Sequence, residues 1–176
     1  MITKDNNLKV MEVFYKRPTS EYHIRELARK VKLSSTGIIK IVKRLKKEKL
    51  LLSRKSANLE LITPDLDGNF YLMKRLYNIY SLYESGLIDH LKKHYEMPEA
   101  IVLFGSYSQG MDTEKSDIDI AIISKISKKM PELKNYERNL DRPINIHQIN
   151  LASTTKEFKN SLSNGVILEG FIEIIK

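Results

Sequence analysis

The run Leu103-Phe104-Gly105-Ser106 is followed, ten residues later, by Asp117-Ile118-Asp119, so a Gly-Ser turn precedes two carboxylates at i, i+2. Two carboxylates side by side repel unless a cation neutralises them, and hard oxygen donors select Mg²⁺ or Mn²⁺ over softer metals. A glycine that turns the chain into a short helix leaves backbone N–H groups free, and together with the Ser106 hydroxyl these suit a triphosphate. The chemistry this spacing points to is a divalent ion that bridges the phosphates of a nucleoside triphosphate and stabilises in-line displacement at the α-phosphate.

The elements that must position these groups are strands. Ala100 to Phe104 and Ile118 to Ile123 are short apolar, β-branched runs that read as buried strands, the first ended by Gly105. Alternate residues of a strand share a face, so Asp117 and Asp119 point the same way. A third candidate strand, Pro143-Ile144-Asn145-Ile146-His147-Gln148-Ile149, contains no acid. Asn145 and His147 share one of its faces.

The segment GSYSQGMDTEKSDID resembles the signature of the polymerase-β-like nucleotidyltransferases, in particular the minimal ones with a Gly-Ser-x10-Asp-x-Asp core. The resemblance covers roughly the last 80 residues. It implies a small mixed sheet flanked by helices, nucleotide contacts near Gly105, Ser106 and Ser116, and metal ligation by Asp117 and Asp119. The implied cofactors are Mg²⁺ or Mn²⁺, with a nucleoside triphosphate, ATP by preference, as substrate. Active members also carry a third carboxylate on a neighbouring strand, and Asn145 stands at its place. One proton acceptor and one negative charge are thereby lost. His147 can accept a proton, since imidazole titrates near neutrality, although a lone His on a half-buried strand is more often simply hydrogen-bonded. The candidate catalytic set is therefore Asp117, Asp119, Asn145 and His147. Two other acids are candidates to replace the missing one: Asp141, which has Arg142 beside it as an equally good partner, and Glu169, if the C-terminal segment returns to the site.

The chain has 176 residues, enough for one or two small domains, and 41% hydrophobic content supports packed cores. Without cysteine there is no disulfide framework and no thiolate metal site. The polar start MITKDNN lacks the apolar core of a signal peptide, and no run approaches a membrane span, so a cytoplasmic protein with no membrane partner is the expectation. Charge is uneven: residues 1–75 hold 18 Lys+Arg against 8 Asp+Glu, while the remainder holds 12 against 14. Such asymmetry suggests that the first part meets a polyanion and the second has another role.

Leu8, Val10, Met11 and Phe14 form a helical stripe that ends near Arg17-Pro18. Ile24, Leu27, Ala28 and Val31 follow the i, i+3, i+4, i+7 rule of a second helix. Ser34 or Ser35 can cap a third, which buries Ile38, Val42 and Leu45. Leu51 to Ile62 then reads as two strands about a polar tip, ended by Pro64. The segment ELARKVKLSSTGIIKIVKRLKKEKLL resembles the helix-turn-helix of winged-helix DNA-binding domains, with Lys49 where a glycine usually stands. By this resemblance the third helix enters a major groove of double-stranded DNA. Ser35, Thr36 and Lys40 then lie near base edges, Lys43 and Arg44 near phosphates, and Arg54 and Lys55 at the wing tip. Winged helices also serve as protein-docking modules, and Ile39 among the exposed positions is a mark of that use.

Asp65-Leu66-Asp67-Gly68 reads as a turn-rich joint. A long amphipathic helix from Leu72 to Tyr83 and a shorter one from Leu87 to Tyr95 follow it. Thr154 to Leu162 reads as another helix, Asn164-Gly165 as a turn, and Gly170 to Ile175 as an apolar segment returning to the sheet. The fold class is α+β: a winged helix of three helices plus a β-hairpin over 1–67, a helical connector over 68–97, and a nucleotidyltransferase α/β domain with a small mixed sheet over 98–176. The function read from this is a DNA-associated nucleotidyltransferase homologue, transferring a nucleoside monophosphate to a protein or small-molecule hydroxyl if active. The alternative is an inactive, nucleotide-sensing transcriptional regulator. The partners that follow are duplex DNA, an acceptor protein such as a toxin, and a second copy of the chain.

Overall fold

The structure, a computed structural model, describes residues 5–56, 59–125 and 127–173. The chain forms two units, Met1–Lys74 and Arg75–Lys176.

The first unit starts with α1 (Asn6–Lys16), capped by Asp5, whose Oδ1 accepts the Leu8 N–H at 2.8 Å. That bond and one from the Asn7 side chain hold the Asp5 carboxyl below its ordinary range. A short strand, β1 (Tyr22–His23), leads into α2 (Ile24–Val31). α3 (Ser35–Lys47) is capped by Ser34, whose Oγ accepts the Gly37 N–H at 3.1 Å. α3 buries Ile38, Val42 and Leu45, the stripe its periodicity predicts. Lys49 sits at φ +54°, and the Leu50 N–H donates to the Leu45 carbonyl at 3.0 Å. That is the left-handed close a glycine usually makes at a helix C-terminus, here made by lysine. β2 (Leu51–Ser56) and β3 (Leu59–Pro64) pair antiparallel, and β1 completes a sheet of order β1-β3-β2. Val10, Phe14, Leu27, Ile38, Leu51 and Ile62 are fully buried. The polar tip expected between the two strands falls on residues 57–58, and the end of the expected Gly170 to Ile175 segment on residues 174–175; both lie outside the described residues.

The helix α4 (Gly68–Glu84) contains the boundary between the units. The second unit continues with α5 (Leu87–His94), β4 (Ala100–Phe104), α6 (Gly105–Gln109), β5 (Ile118–Ile123), α7 (Lys134–Leu140), β6 (Ile144–Ile149), α8 (Lys156–Ser163) and β7 (Val166–Gly170). The sheet order is β6-β5-β4-β7, with β5 and β6 parallel and the other pairs antiparallel, a small mixed sheet as expected. A parallel pair needs a crossover, and α7 supplies it. Period-2 alternation divides the side chains between two faces. Ile118, Ile120, Ile122, Ile144 and Ile146 join Leu87, Ile88 and Leu91 in one core. Ala100, Val102, Ala121, Ile123 and Leu162 form a second core on the opposite face. Each large aliphatic side chain so buried contributes about 1.5–3 kcal/mol. Asp117, Asp119, Asn145 and His147 alternate onto the second face, at its polar end. Among the described residues no helix is long and apolar enough to cross a membrane.

Candidate functional site

The parallel register of β5 and β6 sets Asp119 directly beside Asn145 and Ala121 beside His147, while the antiparallel register of β4 sets Phe104 against Asp119. The sequence-predicted groups therefore converge on one row. Asn145 Nδ2 donates to Asp117 Oδ2 at 2.5 Å and to Asp119 Oδ1 at 3.3 Å. His147 Nε2 lies 3.4 Å from the same Asp119 Oδ1. Gly105 sits at φ +72°, and a Cβ there would stand 2.8 Å from Asp119 Oδ2. Only glycine offers both the left-handed turn and room for the carboxylate.

Gly105 and Ser106 are exposed at the start of α6, where the first-turn N–H groups have no helical partners. Ser116 acts locally, its Oγ accepting the Thr113 N–H at 3.0 Å and closing the turn before Asp117. Glu169 does not return to the site. β7 joins the far side of β4, where Glu169 lies opposite Ile101 and its Oε2 is 3.0 Å from Lys92 Nζ. Arg142 is bonded both to its sequence neighbour and across the fold. Its Nη1 donates to the Asp141 backbone carbonyl at 2.8 Å, and its Nη2 meets Asp112 Oδ2 at 3.4 Å, with both side chains buried.

Asp112 is the residue that sequence reasoning missed. It also accepts from Asn78 Nδ2 at 2.8 Å, and the same amide donates to the Tyr107 carbonyl at 2.9 Å. This buried network ties the loop after α6 to the residue two before β6. Burial pushes the Tyr107 hydroxyl up to about 12, partly offset by its hydrogen bond with Ser81.

Among the described residues no group of three or more His, Cys, Asp or Glu side chains is arranged for a metal. Asp117 and Asp119 supply the two carboxylates of the site row, and Mg²⁺ commonly takes one or two carboxylates plus phosphate oxygens. Asn145 adds an amide whose oxygen, turned about the terminal bond, is an uncharged ligand. The pair of carboxylates balances one divalent ion, so the residues present fit a single Mg²⁺ or Mn²⁺ held jointly with a triphosphate.

In the first unit, Ser35, Thr36, Lys40, Lys43 and Arg44 are all exposed on α3, and Ile39 is 54% exposed among them. Arg54 and Lys55 lie within β2, and Arg54 Nη2 pairs with Glu21 Oε2 at 2.7 Å.

Residues 86–170 match the family model described as polymerase beta, nucleotidyltransferase. That span contains the four-stranded sheet with Gly105, both aspartates and Asn145. No curated protein matches the chain. Among solved structures, a single-substitution mutant of Lactococcus lactis ZitR is similar at 14% identity and a TM-score of 0.39. The similarity covers 48% of this chain and 59% of that one. At that level nothing about function transfers.

Proposed function

We propose that this chain is a DNA-binding nucleotidyltransferase homologue whose second unit binds one divalent ion and a nucleoside triphosphate as a signal, with little or no nucleotidyl transfer. The observation that carries this reading is the Asn145 amide donating to both Asp117 and Asp119 where a third carboxylate would stand. A divalent ion bound there would supply charge neutralisation to the triphosphate. Asp117 and Asp119 would hold it, and the α6 N–H groups with the Ser106 hydroxyl would receive the phosphates. Asn145 has no basic oxygen with which to take a proton from an acceptor hydroxyl, and its neutrality removes the charge that a second ion requires.

The DNA half of the reading rests on the order of three helices followed by a hairpin, on the exposed Ser35, Thr36, Lys40, Lys43 and Arg44 of α3, and on the basic excess of residues 1–75. That order supports a winged-helix reading, under which the third helix would lie in the major groove. A second reading, transfer with His147 as proton acceptor, is favoured by its 3.4 Å approach to Asp119.

Incubation of the full chain with Mg²⁺, α-labelled nucleoside triphosphates and a panel of hydroxyl acceptors separates the two. The expected result is binding without label transfer by the wild type, and measurable transfer by Asn145→Asp. Rapid labelling by the wild type, lost in His147→Gln, would overturn the first reading in favour of the second.

A further inference from the structure

We infer that Phe104, His147 and Phe158 form the seat of the nucleobase, an inference that rests on the nucleotide reading above. Three rings from three elements meet at the carboxylate end of the second core. Phe104 and His147 are 5.2 Å apart between ring centroids, Phe104 and Phe158 are 5.4 Å apart, and His147 and Phe158 are 6.1 Å apart. Phe104 immediately precedes Gly105, and His147 touches the Asp119 carboxylate, so the cluster adjoins both halves of the phosphate and metal site. Phe158 comes from α8, whose Leu162 packs on the deeper part of the same face.

The distribution of residue types along this face is informative. Its fully buried interior is aliphatic: Ala100, Val102, Ala121, Ile123 and Leu162. The three rings gather where the face opens toward the aspartates, and there they are part-exposed, with 39% of the His147 side chain open to solvent. Partly exposed rings beside a phosphate anchor can accept the flat face of a base, and such stacking is worth about five- to 150-fold in affinity by substitution while tolerating any base. The structure therefore assigns a stacking subsite that distinguishes a nucleotide from bare triphosphate but discriminates weakly between adenine and guanine.

The test compares the affinities of the full-length protein for a non-hydrolysable Mg²⁺·ATP analogue and for Mg²⁺·tripolyphosphate. Phe158→Leu keeps an apolar side chain against Leu162 but removes the ring. It is expected to weaken the ATP analogue about ten-fold and leave tripolyphosphate unchanged. Phe158→Tyr restores the ring and the affinity, which guards against a folding defect. Equal losses for both ligands, or no loss for either, would overturn the inference while leaving the nucleotide reading standing. Absence of binding of both ligands to the wild type would overturn the nucleotide reading, and this inference with it.

Discussion

The close approach of Gly105 to Asp119 permits a quantitative prediction for Gly105→Ala. The residue holds φ +72°, where a Cβ-bearing residue costs about 1–2 kcal/mol. The added methyl would also stand 2.8 Å from Asp119 Oδ2, whereas ordinary contact begins at 3.4 Å, so the carboxylate must retreat by roughly 0.6 Å. Two separable effects follow. The backbone term should lower Tm by roughly 5–15 °C for a unit of this size. If Asp119 holds the ion as proposed, displacement of its carboxylate should weaken Mg²⁺·nucleotide binding by about 10- to 100-fold. Gly86→Ala is the matched control: Gly86 sits at φ +77° with nothing within 4 Å of a built Cβ. It should lose comparable thermal stability and keep full nucleotide affinity. Thermal melts and calorimetric titration of wild type, Gly105→Ala and Gly86→Ala measure both terms. Wild-type affinity in Gly105→Ala, or an equal affinity loss in Gly86→Ala, would refute the reasoning.

Three further outcomes are expected. Asp112→Ala removes the carboxylate that faces the buried Arg142 guanidinium and should cost about 3–5 kcal/mol in urea unfolding, whereas the apolar pair Asp112→Leu with Arg142→Met should cost much less. Tyr107, whose hydroxyl is pushed up to about 12 against an ordinary 10.0, stays protonated in the folded chain where the unfolded chain ionises. Its contribution to stability is therefore complete below pH 10 and is lost as pH rises through about 12, so Tyr107→Phe should show a shallower alkaline fall in the urea midpoint. Replacing both Lys43 and Arg44 by alanine should weaken duplex DNA binding and reduce the slope of log K against log salt by about two; an unchanged slope in a mobility-shift titration would count against phosphate contacts by α3.

Periodicity made much of the architecture legible. The Ile38, Val42 and Leu45 stripe, the Ser34 cap and the stop before Pro18 are local signals, and the first and third helices fall within a residue or two of the places these signals set. The two-carboxylate row was legible because a strand's alternation is fixed by its backbone. The family resemblance puts Asn145 at the third-carboxylate position, and the parallel register of β5 and β6 sets it beside Asp119. Long-range partners were not legible. The Asp112–Arg142 contact joins residues far apart in sequence, and nothing in Asp112's neighbourhood distinguishes it from a solvated loop acid. Phe158 meets Phe104 and His147 only once α8 is laid against β4 and β6. The condition on Glu169 was likewise not legible, since only the pairing of β7 with the outer side of β4 removes it from the site.

Calorimetric titration of Mg²⁺ with a non-hydrolysable ATP analogue into the wild type and the Asp117→Asn, Asp119→Asn double variant is the most direct test of a one-metal nucleotide site. One nucleotide and one metal ion bound per wild-type chain, with neither bound by the variant, is the predicted result. Undiminished binding by the variant, or two metal ions per nucleotide in the wild type, would contradict it.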